Sequence, residues 1–207
     1  MSAAIPGGFG FHCAAMVDAF VCDPLALDDR DLVYAVNHHI LHLIGDAFND
    51  SDRKRAILGR LSPGQRMVYF TFLVDIEVPN GGFNQYFWNA SGQFAFEVVE
   101  GYGLIGARRY VEIMKAAIAQ FLAEQPEMAR FYQQGTLQAF SESYRSTKLG
   151  DVDRCYFDAE REEPIDQIRA AFIRRYPGQF DLNVLEACCF SIEACILMKH
   201  RRPTEES

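Results

Sequence analysis

The chain has 207 residues, 49% of them hydrophobic and 23% charged, which suits one domain with an ordinary core and argues against wholesale disorder or a fibrous repeat. Its formal net charge of -8 argues against a general nucleic-acid binder, whose affinity rests on Lys and Arg neutralising phosphates. No run reaches the roughly eighteen apolar residues of a membrane helix, and no cationic segment precedes the first apolar residues, so a cytoplasmic protein is expected.

Residues 1–12 are rich in Gly and contain Pro6, and read as a flexible lead-in. Asp28, Asp29 and Asp31 supply a cap and first-turn charge for a helix from about Asp31 to Phe48, with Leu32, Val36, Ile40, Leu43 and Ala47 on one face. His38 and His42 lie one turn apart on this helix and Asp46 continues the face, a spacing able to chelate a metal. A helical metalloprotease motif would need Glu directly after the first His, where His39 stands, so a polar helix face is the ordinary reading and no metal or other cofactor is expected. Arg53-Lys54-Arg55 reads as solvated helix surface.

Ser62-Pro63 combines a hydroxyl cap with proline at the first helical position. The helix it opens, Pro63 to about Glu77, is apolar nearly all round, the pattern of a surrounded central helix. Proline disfavours helical dihedrals in the residue before it, which predicts an end near Val78. Asn80 then caps a second helix from Gly81 to about Ala90. This corner, residues 74–92, gathers two acids, four amide side chains and four aromatic rings. Its Gly81-Gly82 pair leaves backbone N–H groups open to an anion.

Further helices are predicted over Phe94–Tyr102 and from Ile105-Gly106-Ala107 to about Leu122, with Pro126 in a connection and a weaker helical region from Phe131 to Tyr144. Residues 151–166 are the most acidic stretch, with seven acids against Arg154 and Arg161. A helix follows Pro164, and a last one is predicted over Leu182–Lys199, ahead of a mobile tail from Pro203. The six Cys show no C-x-x-C spacing and read as buried reduced thiols. The expectation is an all-α, single-domain multi-helix bundle over residues 13–202.

The run Asp75-x-Glu77-Val78-x-Asn80-Gly81-Gly82-Phe83-x-Gln85-Tyr86-Phe87-x-Asn89-x-Ser91-Gly92, followed by Ile105-Gly106-Ala107, resembles the DNA-mimic protein nineteen family. A looser echo, Leu149-x-x-x-Asp153-x-x-Tyr156, extends the resemblance to roughly residues 60–180. The resemblance implies an all-α fold and, from the member that names the family, an acidic protein that imitates the charge of duplex DNA and occupies a DNA-binding protein. The shared motif itself is mostly amide, glycine and aromatic, so fold carries over more directly than function.

Two functions of different class follow. In the first the chain is a non-enzymatic interaction protein whose carboxylates replace phosphates in a basic groove, with Asp151, Asp153, Asp158, Glu160, Glu162, Glu163 and Asp166 as the partner surface. Its partners would be a DNA-binding protein and a second copy in a homodimer, with no direct nucleic-acid or membrane contact. In the second the corner is a ligand or anion site, or an enzyme's, built from Glu77, Asn80, Gly81, Gly82, Gln85 and Asn89. The ordinary reading of those residues is a structural joint, in which the polar groups satisfy one another and the aromatic rings fill the core.

Overall fold

Ser62 and Pro63 open the helix against which most of the others pack. The computed structural model describes residues 23–181, and the predicted lead-in, last helix and tail lie outside them. Helix α3, Pro63–Trp88, begins with a reciprocal capping box: Gln65 N donates to Ser62 Oγ at 3.1 Å, and Ser62 N donates to Gln65 Oε1 at 3.0 Å. Its buried residues surround the axis, from Met67, Val68 and Phe70 to Val74, Val78, Phe83 and Tyr86. That distribution follows from its position, for α1 (Asp29–Ile44), α4 (Ala95–Ile105) and α7 (Leu149–Glu162) all pack on it.

The remaining helices complete an all-α bundle: α2 (Ser51–Leu58), α5 (Arg108–Gln134), α6 (Leu137–Ser146) and α8 (Ile165–Arg175), with no strand among the described residues. Helix α5 covers α4, α7 and α6, while α8 lies against α1. Arg174 at the end of α8 joins Asp29 at 2.5 Å and donates to the Leu25 and Leu27 carbonyls, fastening that helix to the start of α1.

Several boundaries differ from the sequence expectation, each for a local reason. Helix α3 does not stop at Val78; Pro79 and Asn80 stay in the helix, and the irregular residues are Gly81 (φ -163°, ψ 30°) and Gly82 (φ 64°, ψ -174°). Pro79 removes only one backbone donor, whereas Gly82 adopts a conformation that other residues disfavour, so the chain bends there. Pro126 is no connection but lies inside α5, where the carbonyl four residues earlier belongs to Leu122. Both residues face solvent, so water can satisfy that group. Phe131 accordingly belongs to α5, and α6 starts at Leu137, capped by Thr136 Oγ1.

Two burial expectations also change. Cys155, the one cysteine among the described residues, is exposed rather than buried. Lys54 is only 9% exposed: it sits one turn before the buried Leu58, and its ammonium donates to the Phe48 carbonyl at 3.0 Å over the Phe48 ring.

Candidate functional site

Asp75 and Glu77 are two residues apart on α3 and therefore serve different sides of it. Glu77, buried, accepts three side-chain hydrogen bonds at 2.8 Å, from Gln85 Nε2, Asn89 Nδ2 and Ser91 Oγ. The first half of α3 is thereby tied across the bend to its second half and to the 3-10 turn Ala90–Phe94. Charge-assisted bonds of this kind are stronger than neutral ones. Asn80 is exposed and does not cap the second half; its amide donates back to the Ile76 carbonyl at 2.6 Å.

The cap comes instead from a residue distant in sequence. Asp153 on α7 accepts from Phe83 N at 2.7 Å, the backbone donor freed by the bend. A Cβ at Gly82 would collide with this carboxylate, reaching 2.8 Å from its Cγ. The opening that two glycines create for an anion is thus filled by the chain's own anion. Tyr144 on α6 donates to the Gly81 carbonyl at 2.7 Å, and Asn84 Nδ2 donates to Ser143 Oγ at 2.8 Å, which holds α6 to the same joint.

On the opposite side lies a buried ionic network. Arg169 of α8 is fully buried, pairs with Asp75, donates through Nε to Thr71 Oγ1 at 2.9 Å and reaches Asp166 at 2.9 Å. Tyr156 of α7 donates to Asp75 Oδ1 at 2.9 Å. Tyr110 of α5 places its hydroxyl 2.5 Å from Glu160 Oε1 and 2.7 Å from the Glu163 carbonyl. Burial pulls the Arg169 pKa down, and the adjoining Asp75 carboxylate, helped by Tyr102 and Asp166, more than reverses this, so the guanidinium stays charged.

The seven acids of the 151–166 stretch are divided by this arrangement. Asp153, Glu160 and Asp166 turn inward, and burial raises the pKa of each. Asp151, Glu162 and Glu163 are exposed and Asp158 is partly so. Of these outward groups, Asp151 pairs with Arg154 at 2.5 Å, Asp158 with Arg161, and Glu162 with Arg109 of α5. The exposed face of α7 carries mixed charge, with Cys155 between its acids.

Glu77 and Asn89 also border a cavity of about 330 Å³ between α2 and α3, and Gln85 and Asn89 border another of about 560 Å³ beside Trp88 and Tyr132. Neither Asn80 nor the glycine pair lines either cavity. On α1, His38 is exposed and stacks on Tyr34 with ring centroids 6.5 Å apart. His42 is exposed, and no group of three metal-ligating side chains converges among the described residues.

Arg169 and Lys54 escape a reading of the sequence by motif, and Ser91 stands in the motif without being marked as a partner of Glu77. A signal for Arg169 is present, because it occupies the buried register of the stripe Ile165, Ile168, Phe172 and Ile173. An arginine in that register requires a buried acid, which Asp75 supplies.

Fold and site together define an all-helical domain organised on a bent, polar-wired central helix. The model of the DMP19-like protein family matches residues 59–176, more than half of the chain, and the chain belongs to that family. No curated protein and no solved structure matched it. The matched segment contains the central helix and every partner named above for Asp75, Glu77 and Asp153, so the joint that holds α3, α6, α7 and α8 together lies wholly within it.

No described helix is long and apolar enough to cross a membrane.

Proposed function

We propose that this chain is an acidic helical interaction protein whose α7 surface occupies the basic site of a DNA-binding protein. The observation that carries this reading is the outward row Asp151, Asp158, Glu162 and Glu163, on a chain of net charge -8 from a family named for a DNA mimic. A rise of about 1.5 Å per residue separates Asp151 from Asp158 by ~10 Å and Asp158 from Glu162 by ~6 Å along the helix. Carboxylates at such intervals present a line of negative charge to a groove built for phosphates.

The arginines beside them do not remove this capacity. Exposed ion pairs contribute only about 0.2–1 kcal/mol and are screened by salt, so Arg154 and Arg161 can exchange their acids for solvent when a more basic surface arrives. The inward acids Asp153, Glu160 and Asp166 belong to the fold and take no part in this contact.

The test is capture from a cell extract on the immobilised full chain, eluted with a salt gradient. Retention of a DNA-binding protein that leaves at moderate salt, and that releases its DNA when the chain is added, supports the reading. The variant Asp151→Asn, Asp158→Asn, Glu162→Gln, Glu163→Gln should lose that partner. Retention independent of salt, or unchanged in the variant, would overturn it.

A further inference from the structure

The cavity of about 330 Å³ between α2 and α3 brings together three polar groups that the fold leaves partly unused. Lys54 uses one ammonium donor on the Phe48 carbonyl and has two more. Glu77 accepts one hydrogen bond on Oε1 and two on Oε2, which leaves Oε1 room for another donor. Tyr69 is 2% exposed, and its hydroxyl has no hydrogen-bond partner among the described residues. Burial alone raises its pKa, with no neighbouring charge involved. Tyr69 lines the cavity, and its unused O–H can donate to a ligand there.

Lys54 and Glu77 line the same space without being ion-paired to each other. A lone anion there would meet the Glu77 carboxylate, and a lone cation would meet the Lys54 ammonium, so each is disfavoured by one wall. A small molecule with opposite charges at its two ends suits both. Phe48, Leu73 and Phe94 supply apolar wall for a short side chain.

We propose that this cavity binds a free α-amino acid or a ligand of the same zwitterionic class, its carboxylate held by Lys54 and Tyr69 and its ammonium by Glu77. One wall of the site, Phe48 and Lys54 included, precedes the family-matched residues, while Tyr69 and Glu77 lie within them. The pocket therefore adds a property of this chain to a joint of the family's fold. It is independent of the α7 surface.

The experiment titrates the full chain with each common free L-amino acid by calorimetry and thermal shift, then with the N-acetyl and carboxamide forms of the best binder. At least one amino acid should bind saturably and raise Tm, and each capped form should bind about tenfold more weakly or worse. Tyr69→Phe should keep the melting temperature of the parent, because it removes only an unpaired hydroxyl, yet weaken binding by about tenfold. Lys54→Met should weaken it at least as much. No saturable binding at millimolar concentration, equal binding of the capped forms, or undiminished binding by both variants would overturn the proposal.

Discussion

Helix α7 and the turn after it present carboxylates in two settings. Asp153, Glu160 and Asp166, the last just beyond its end, face the bundle and meet a backbone N–H, a phenol and a guanidinium. Asp151, Asp158 and Glu162 face water and meet arginines on the surface. The first set is woven into the bundle: removing Asp153 leaves the Phe83 N–H without its acceptor, and removing Glu160 or Asp166 takes one of several partners from Tyr110 or Arg169. The second set is interchangeable with solvent. Charge counted along the sequence therefore overstates the surface available to a partner, because part of it is structural.

The largest effect should come from the buried side. Asp75→Ala strands Arg169 without its principal counter-charge and should cost about 3–5 kcal/mol, read as a fall in denaturation midpoint. Gly82→Ala places a side chain at φ 64° against the Asp153 carboxylate, and about 1–3 kcal/mol is expected to be lost. Glu77→Gln turns one acceptor oxygen into a donor facing Gln85, Asn89 and Ser91, with a loss of about 1–3 kcal/mol in the same measurement. A Glu77→Gln protein that melts like the parent would remove the joint from the account.

A pH scan sharpens the contrast. Burial raises the folded-state pKa of Asp153, Glu160 and Asp166, while unfolded carboxylates titrate near about 4. Between those values the folded chain holds protons that the unfolded chain has released. The stability these groups contribute is therefore full below about pH 4 and is lost as pH rises through the raised values. Their share of Tm should increase as buffer is taken from about pH 7 towards about pH 5, and Asp166→Asn should make that dependence shallower. The smallest effect on stability belongs to the outward set: Asp151→Asn, Asp158→Asn, Glu162→Gln and Glu163→Gln should each shift stability by about 0.5 kcal/mol or less. A large fall in Tm from that set would erase the distinction between the two settings.

Much of the architecture was legible beforehand. The Ser62-Pro63 start, the all-round apolar pattern of α3 and the apolar stripe after Pro164 each follow from local chemistry, and each appears as a helix of the expected kind. The family resemblance rests on the corner and on the echo at Leu149, Asp153 and Tyr156; Asp153 and Tyr156 bond across the α3–α7 interface to Phe83 and Asp75, and Leu149 and Tyr156 are buried. The exact bend was not legible, because Pro79 is the stronger breaker locally while the fold can satisfy a break at Gly82 with a carboxylate from α7. Lys54 was misplaced for a similar reason. Between two arginines it reads as surface, and only the packing of α2 brings its stem under cover.

The sequence by itself determined that this protein is helical, that α3 is its centre and that residues 75–92 must find partners for their polar groups, since periodicity, caps and the cost of unpaired burial are local properties. Only the tertiary structure decided which acids remain outside. Whether a carboxylate is a cap, a buried counter-ion or a surface charge depends on what lies opposite it, and for Asp153 and Asp75 those partners stand 70 and 94 residues away in the chain.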